Sequence, residues 1–349
     1  MSISSMHPDY VEKTAIVDAV DMQLIQALSI HRRASFALLA AVLGLSEQTV
    51  ARRYRRLQSE GILRIVAVVD TGDALQTNWT LRLRCSAQVV EQVSATLARR
   101  TDVSWVSIAA GGSEIVCNVH CRTLQERESL LLNKLPKTRF VDHVDASEWI
   151  HEFKKDEGAD WQAYGDYLSL DQCAVLEAEI VGRASSTAAS ALTAEDMPML
   201  SLLAVDGRTS VARLARATGH TYGRTSRRLD ALATSGTVAF DIDIAYELLG
   251  YRSTSYLWLT VHPNHLAEAG QFLAGQREVP FVVAITGRYS LAAAVICRTA
   301  ADLYDFVTTK VRILQGLSKL EVSPIIRTVK QAGALRDGLR LAPPAPAVG

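Results

Sequence analysis

Apolar residues recur at intervals of three or four in three short blocks near the start of the chain, the spacing of one face of an α-helix. Each block follows a residue that can cap a helix N-terminus, namely Asp21, Ser35 and Ser46. The second block ends at Gly44, and glycine permits the left-handed backbone of a tight turn. The pattern therefore predicts three helices with a glycine turn before the third.

The third predicted helix has two distinct faces. Val50, Tyr54 and Leu57 lie within about 60° of one another around the helix axis, which makes one side apolar. The opposite side carries Gln48, Arg52, Arg55 and Arg56. After the next glycine, the run ILRIVAVVD predicts a strand. Three helices followed by a strand are typical of a winged helix-turn-helix (HTH).

The spacing of apolar residues changes further along the chain, where short patterns typical of strands alternate with patterns typical of helices. The predicted order is strand, helix, strand, strand, helix, strand, which is the ferredoxin-like βαββαβ pattern. The predicted strands span 79–85, 103–109, 114–121 and 141–153, and the predicted helices span 88–100 and 124–135.

The same order recurs in the second half of the chain. Residues 21–61 match residues 196–236 without a gap at thirteen of forty-one positions, including both arginines of the pair Arg52-Arg53. Later the offset becomes 176, since Gly111 aligns with Gly287 and Cys121 with Cys297. A single repeat this long predicts a duplicated pair of domains and not a solenoid.

The predicted fold class is therefore α+β, with a winged HTH domain and a ferredoxin-like domain that both occur twice. The linker is expected to include a short helix, and the Pro- and Ala-rich end of the chain is expected to be disordered. The predicted boundaries are 14–72 and 193–247 for the winged HTH domains, 77–155 and 252–332 for the ferredoxin-like domains, 156–192 for the linker and 333–349 for the disordered tail.

Charge is distributed unevenly, although the net charge of the 349 residues is zero. Residues 31–64 contain seven arginines against two glutamates, and residues 206–236 contain six arginines against two aspartates. A helix with a basic face fits the major groove of duplex DNA, and its first turn reads base edges. We therefore expect double-stranded DNA as a partner, although a basic face can also be a solvated surface.

The candidate DNA contacts fall into two groups. Side chains at the start of each third helix are expected to read bases; they are Gln48, Thr49 and Arg52 in the first copy and Tyr222, Arg224 and Arg227 in the second. Arginines further round the helices are expected to touch phosphates; they are Arg53, Arg55, Arg56 and Arg228. The copies differ in sequence at their reading positions, so their half-sites should differ. A vestigial second copy, in a chain that serves mainly for assembly, is the other interpretation.

The run LGLSEQTVARRYRRLQSEGIL, followed by a βαββαβ pattern, resembles the Lrp/AsnC family of transcription regulators. The resemblance covers residues 17–153 and again 192–330. It implies transcription regulation, ferredoxin-like domains that pair through their sheets, and a small-molecule effector, commonly an amino acid, at their interface. A fused chain of this kind is expected to form a pseudo-dimer within itself and to assemble further into a homo-oligomer.

The resemblance also implies an effector loop in each ferredoxin-like domain, with glycine and acidic residues. Both copies depart from that pattern, and an ordinary hairpin turn is the alternative interpretation. If the loops do bind a ligand, Glu114 would hold an ammonium group and Arg288 a carboxylate. The candidate effector residues are Gly111, Gly112, Ser113, Glu114, Gly287, Arg288, Tyr289 and Ser290.

Other functional classes receive less support from the sequence. Siroheme decarboxylases resemble the same family and also occur as fused pairs, but no histidine lies in either loop here. We therefore expect a protein that is not an enzyme, with siroheme decarboxylation as the alternative. The five cysteines lack metal-ligand spacing, and no apolar run is long enough to span a membrane. We expect no metal, no cofactor and a cytoplasmic location.

Overall fold

A computed structural model describes residues 17–69, 77–121, 123–134, 141–153, 167–181, 192–332 and 334–342. The first HTH unit comprises α1 (Ala19–Ile30), α2 (Phe36–Leu43), α3 (Glu47–Ser59) and β1 (Leu63–Val69). Ser35 and Ser46 cap α2 and α3 as the pattern predicts, and Gly44 ends α2 with φ +66°. The predicted cap of α1 is wrong, because Asp18 is the N-cap and Asp21 lies one turn inside, where it completes a capping box.

The first ferredoxin-like domain follows, and a linker helix comes after it. The elements of the domain are β2 (Thr77–Cys85), α4 (Val90–Ala98), β3 (Val103–Ala109), β4 (Glu114–Cys121), α5 (Leu124–Glu128) and β5 (Val141–Glu152). The linker helix α6 (Leu170–Val181) packs against α1 and α2 through Leu176, and Leu168, just before the helix, lies in the same core of the first HTH unit. The predicted flexible run 183–191 lies outside the described residues.

The second half of the chain contains the same elements in the same order. The second HTH unit comprises α7 (Met197–Val205), α8 (Val211–Thr218), α9 (Tyr222–Thr234) and β6 (Val238–Ile244). The second ferredoxin-like domain comprises β7 (Ser253–Val261), α10 (Leu266–Ala274), β8 (Phe281–Ile285), β9 (Leu291–Cys297), α11 (Ala300–Asp305) and β10 (Leu317–Gln331).

The strand that follows each third helix does not form a separate wing. Instead β1 and β6 pair with each other in a two-stranded antiparallel sheet, so the prediction of a winged unit in each half is wrong. The apolar strand β1 is buried over most of its length, whereas a wing is solvated. Val66 pairs with Asp241, its counterpart 175 residues later, so a pseudo-two-fold axis passes between these two residues.

The two ferredoxin-like domains share one closed ring of eight strands in the order β10-β3-β4-β2-β5-β8-β9-β7, with β7 paired to β10. The ring closes because β5 and β10 each cross from one sheet to the other. The start of β5 pairs with β2 and its end with β8, while the start of β10 pairs with β7 and its end with β3. Each crossing lies at a β-bulge, at Ile150 and at Ile326, which are 176 residues apart.

Each ferredoxin-like domain has an apolar core between its helices and the outer face of the ring. A further core lies inside the ring. The inner core is built from residues of both domains, among them Val116, Tyr256, Trp258 and Tyr289. Among the helices of the described ranges, none is both long and apolar enough to cross a membrane.

The predicted disordered tail is wrong for residues 334–342, which form the hairpin of β11 (Ala334–Asp337) and β12 (Arg340–Leu341). This C-terminal hairpin returns to the first HTH unit, where the Leu341 amide donates a 2.8 Å hydrogen bond to the Gly61 carbonyl. Arg336 forms a 2.5 Å ion pair with Glu247, and the Leu341 side chain is buried. The composition of this segment did not predict the hairpin, because the residues that it contacts, Gly61 and Glu247, are distant from it in sequence.

The close approach at Gly61 can be tested against its counterpart in the second half. A Cβ at residue 61 would lie 2.5 Å from the Leu341 carbonyl oxygen, whereas nothing lies within 4 Å of one at Gly236. Both glycines have positive φ, of +65° and +72°, so alanine strains both backbones by a similar amount of about 1 kcal/mol. We expect Gly61→Ala to cost more than Gly236→Ala in urea unfolding and to expose Arg340 to trypsin. Equal costs and unchanged cleavage would contradict the docking of the hairpin.

Candidate nucleic-acid interface

The start of α3 presents polar side chains to solvent. Ser46 caps the helix by accepting a 3.2 Å hydrogen bond from the Thr49 amide, and the two hydroxyl groups lie 2.8 Å apart. Val50, Ala51, Tyr54 and Leu57 face the core of the unit. Gln48, Arg52 and Arg55 are exposed, and the two arginines have no ion-pair partner among the residues that the structure describes.

Two of the predicted phosphate contacts in α3 have a structural role instead. Arg53 forms 2.8 Å ion pairs with both Asp18 and Asp21, and Arg56 pairs with Asp21 and with Glu60. The Asp21 side chain is only 1% exposed, so its charge requires a partner inside the unit. Arg53 and Arg56 therefore hold α3 against the start of α1, and their contact with phosphates stays a prediction.

The second HTH unit repeats this arrangement at the equivalent positions. Arg228 donates hydrogen bonds of 2.8 and 2.6 Å to Asp196, and this pair lies 175 residues after Arg53 and Asp21. The hydrogen bonds from Arg228 and from the Thr193 amide and hydroxyl outweigh burial and lower the pKa of Asp196 to about 2. Arg228 therefore has the same structural role as Arg53, and its contact with phosphates also stays a prediction.

The other candidates on α9 remain accessible. Tyr222 is 62% exposed, and Arg227 is exposed with no carboxylate partner in the described part of the chain. Arg224 is exposed as well but forms a 3.0 Å ion pair with Glu195, itself an exposed side chain. Surface pairs of this kind are weak, so Arg224 can exchange this partner for another anion at little cost.

The pair of Asp196 and Arg228 gives the second HTH unit a pH-dependent stability. Because the pKa of Asp196 in the folded chain lies below its ordinary value of 3.8, the pair stabilises the fold fully above about pH 4 and progressively less as the pH falls through 2. We expect Asp196→Asn to lower the unfolding free energy by about 1–2 kcal/mol at pH 6, with a difference that shrinks between about pH 4 and pH 2. Urea titrations monitored by circular dichroism would measure it. A difference that stays constant over this range would argue against the ion pair.

The two HTH units hold each other through a reciprocal arginine clasp that sequence reasoning missed. Arg208 donates 2.7 Å hydrogen bonds to the carbonyls of Arg32 and Ala34. In return Arg33 donates to the carbonyls of Gly207 and Thr209, the residues equivalent to those two. The only sequence signal is that Arg33 and Arg208 match at the offset of 175. The clasp and the pairing of β1 with β6 fix α3 relative to α9.

The predicted effector loops are turns between strands. Gly111 and Gly112 have φ of +69° and +88° in the turn between β3 and β4, and the Ser113 hydroxyl donates to the Ala110 carbonyl at 2.9 Å. In the second domain Gly287 and Arg288 are exposed, whereas Ser290 accepts a 2.8 Å hydrogen bond from the Val261 amide. These contacts serve the turns themselves, in agreement with the hairpin interpretation.

Glu114 does not face outward from its loop. It lies inside the ring, 2% exposed, and accepts hydrogen bonds of 3.0 and 3.1 Å from Arg82. Arg82 also pairs with Glu321, which accepts a hydrogen bond from Tyr289. Because Arg82 already neutralises Glu114, this carboxylate is not available as the proposed partner of a ligand ammonium group.

Arg82 lies where the two ferredoxin-like domains meet. Its guanidinium stacks over the Trp258 ring at 4.3 Å, and Trp258 is the residue equivalent to Arg82 at the offset of 176. The sequence did not indicate this role, because Arg82 occupies a polar position in the alternating pattern of β2, as the exposed Arg84 does. The candidate ligand carboxylate contact Arg288 remains exposed, with its guanidinium 5.9 Å from the Tyr289 ring centroid.

The buried network around Arg82 should be sensitive to the loss of one partner. Arg82→Met leaves the Glu114 carboxylate buried without its cation, which we expect to cost about 3–5 kcal/mol of unfolding free energy. Arg82→Met combined with Glu114→Met should recover most of that loss, because neither variant side chain is charged. Arg84 is the matched control, since it is 54% exposed and 4.0 Å from the same carboxylate. An Arg84→Met loss as large as that of Arg82→Met would refute this account.

No group of three or more histidine, cysteine or carboxylate side chains in the described part of the chain is placed to hold a metal ion. All five cysteines are free thiols, and burial raises the pKa of Cys117 to about 12. A buried thiol with this pKa stays protonated at neutral pH.

An exposed polar helix start behind a capped turn, as α2 and α3 form it, is the arrangement found in HTH proteins that bind DNA. Two domain families match the chain. An AsnC-type helix-turn-helix domain matches residues 17–58, and a Lrp/AsnC ligand binding domain matches residues 254–335. The two matches lie in different halves of the chain.

Curated relatives agree with these matches. An HTH-type transcriptional regulator of Pyrococcus furiosus is 30% identical over 105 residues, which are 30% of this chain and 71% of the relative. Another from Pyrococcus horikoshii is 27% identical over 141 residues, which are 40% of this chain and 95% of the relative. The chain belongs to the Lrp/AsnC family of DNA-binding transcription regulators.

Two solved structures resemble most of the chain. The siroheme decarboxylase NirDL is 15% identical with a TM-score of 0.59, over 90% of this chain and 93% of that one. Its complex with an iron-uroporphyrin III analogue gives 14% identity and a TM-score of 0.57 over the same shares. At such low identity the similarity shows a shared fold and leaves the activity open.

Proposed function

We propose that the chain is two Lrp/AsnC units fused into one regulator, which binds a single asymmetric operator through α3 and α9. The observation that carries this proposal is the pseudo-two-fold contact between the units, in which Val66 pairs with its counterpart Asp241 and the clasp of Arg33 and Arg208 is reciprocal. Homodimers use such self-complementary contacts between identical chains. Here one chain supplies both sides.

Non-identical reading surfaces support an asymmetric operator. The start of α3 offers Gln48 and Arg52, whereas the start of α9 offers Tyr222 and Arg227. Glutamine pairs with adenine and arginine with guanine in the major groove, while tyrosine has no fixed base preference. The two half-sites should therefore differ in sequence, at a separation set by the clasp and the shared strands.

Selection from fragmented genomic DNA, followed by fluorescence anisotropy, tests this function. We expect Arg52→Ala and Arg227→Ala each to weaken binding to the selected site by about 1–3 kcal/mol, or about 5- to 150-fold, without changing stability. Arg53→Ala is the matched comparison on the same helix, since it removes the partner of Asp21 and should instead destabilise the fold. A purified chain that prefers no genomic fragment to random duplex, at any salt concentration, would refute the proposal.

The ligand-binding domain supports a small-molecule effector as a further part of the function. Arg288 is the exposed cation of the second loop and would take the carboxylate of an amino acid. Assembly of the fused chains into a homo-oligomer belongs to the same proposal. Thermal shift with each of the twenty amino acids, on the wild type and on Arg288→Ala, tests the ligand, and sedimentation with and without a responding ligand tests the assembly.

Siroheme decarboxylation is the second candidate, because the similarity to NirDL extends over 90% of this chain. The interior of the ring also holds ionisable groups, among them His120, which lies 2.7 Å from the Asn78 side chain and edge-on to Trp149. Regulation remains our proposal since Arg82 and Glu114 already neutralise each other inside the ring. Anaerobic incubation with siroheme, followed by mass spectrometry for loss of carboxyl groups, distinguishes the two functions.

A further inference from the structure

The arginines of the two HTH units are used very differently, although the sequence places similar numbers in each. In the first unit five of the seven in residues 31–64 are engaged within the protein. Arg32 is buried, Arg33 is in the clasp, Arg53 and Arg56 pair with aspartates of α1, and Arg64 lies 3.7 Å from Asp243. Only Arg52 and Arg55 remain exposed.

In the second unit only two of the six arginines in residues 206–236 are engaged in this way. Arg208 is in the clasp and Arg228 pairs with Asp196. Four arginines remain exposed, and they are Arg213, Arg216, Arg224 and Arg227. The unit with fewer arginines in the sequence thus presents more of them to solvent.

The two additional exposed arginines lie on α8, the first helix of the HTH motif. The equivalent positions on α2 are Leu38 and Ala41, so α2 carries no charge at all. Leu38 packs into the core of the first unit beside α6, which also donates a 2.6 Å hydrogen bond from Gln172 to the Val42 carbonyl. Arg213 and Arg216 are both exposed, and the Arg216 side chain donates a 3.4 Å hydrogen bond to the Ala212 carbonyl of its own helix.

The exposed acidic side chains of the two HTH units do not cancel the difference in exposed positive charge between the units. Glu195 is the partner of Arg224 and also lies 3.3 Å from His220. Asp230 stands on α9 where α3 has Arg55, and its side chain accepts from Ser226 at 3.4 Å. In the first unit Glu47 is an exposed acid in the first turn of α3. With these acids counted, the excess of exposed positive charge is still larger in the second unit.

Resting on the proposed function, we infer that Arg213 and Arg216 make α8 a phosphate-binding surface that the first HTH unit lacks. The first helix of an HTH motif crosses the DNA backbone while the second enters the major groove. Guanidinium groups on that helix add affinity and salt dependence without sequence preference. The second HTH unit then carries the larger share of non-specific DNA affinity.

Salt titration of the full-length chain on a random duplex tests the inference by fluorescence anisotropy. The double variant Arg213→Ala/Arg216→Ala should lower the slope of log affinity against log salt by about two, because each phosphate contact contributes about one. The control Arg99→Ala/Arg312→Ala removes two exposed arginines from the ferredoxin-like domains and should leave the slope unchanged. Ala41→Arg places a guanidinium on the equivalent exposed position of α2 and should raise the slope by about one.

The outcomes separate this inference from the proposed function. If the wild type binds duplex DNA and the α8 double variant shows the same slope of log affinity against log salt as the wild type, the inference is overturned. The proposed regulatory function is then unaffected. An equal loss in the control variant overturns it too, since the effect would then be one of net charge. If the wild type binds no duplex DNA at all, the proposed function fails first.

Discussion

Each half of the chain completes a sheet edge of the other, and the rest of the architecture depends on this exchange. An unpaired edge strand exposes amide and carbonyl groups to any other chain. Here the end of β10 covers β3 and the end of β5 covers β8, so the eight strands close on themselves. The same pseudo-two-fold relation brings β1 against β6 and holds the two HTH units together. Closure of the ring therefore sets where α3 and α9 can lie.

The two halves carry unlike residues at a point inside the ring where two like charges would repel each other. Arg82 and Trp258 are equivalent residues that face each other inside the ring. Two arginines in those positions would repel each other, whereas a guanidinium over an indole is attractive. Glu114 and Glu321 then complete the neutralisation of Arg82 from one half each. An unlike pair of this kind favours association within one chain over association of identical halves.

The sequence predicted the elements better than it predicted the roles of the arginines. Helical spacing, caps and the offset of 175 predicted α1 to α3 and α7 to α9, because these features are local. The strand partner of β1 and the docking of the C-terminal hairpin depend on residues that are distant in sequence, so they were missed. The sequence pattern of an arginine on a helix surface is the same whether its side chain faces DNA or a neighbouring aspartate. The retained pairs of Arg53 with Asp21 and of Arg228 with Asp196, at one offset, were the available signal of a structural role.

The two HTH units are supported by different contacts, and this difference suggests an order in which they bind DNA in the proposed complex. The C-terminal hairpin and α6 both pack on the first unit, through Gly61 and Val42, and the hairpin also reaches Glu247 through Arg336. The second unit carries the larger excess of exposed arginine, and electrostatic attraction governs the first encounter with DNA. Once α9 is bound, the clasp holds α3 at a fixed distance, so its binding becomes intramolecular and costs little further entropy. In the proposed complex the first unit, with Gln48 and Arg52 exposed at the start of α3, would then contribute sequence discrimination more than affinity.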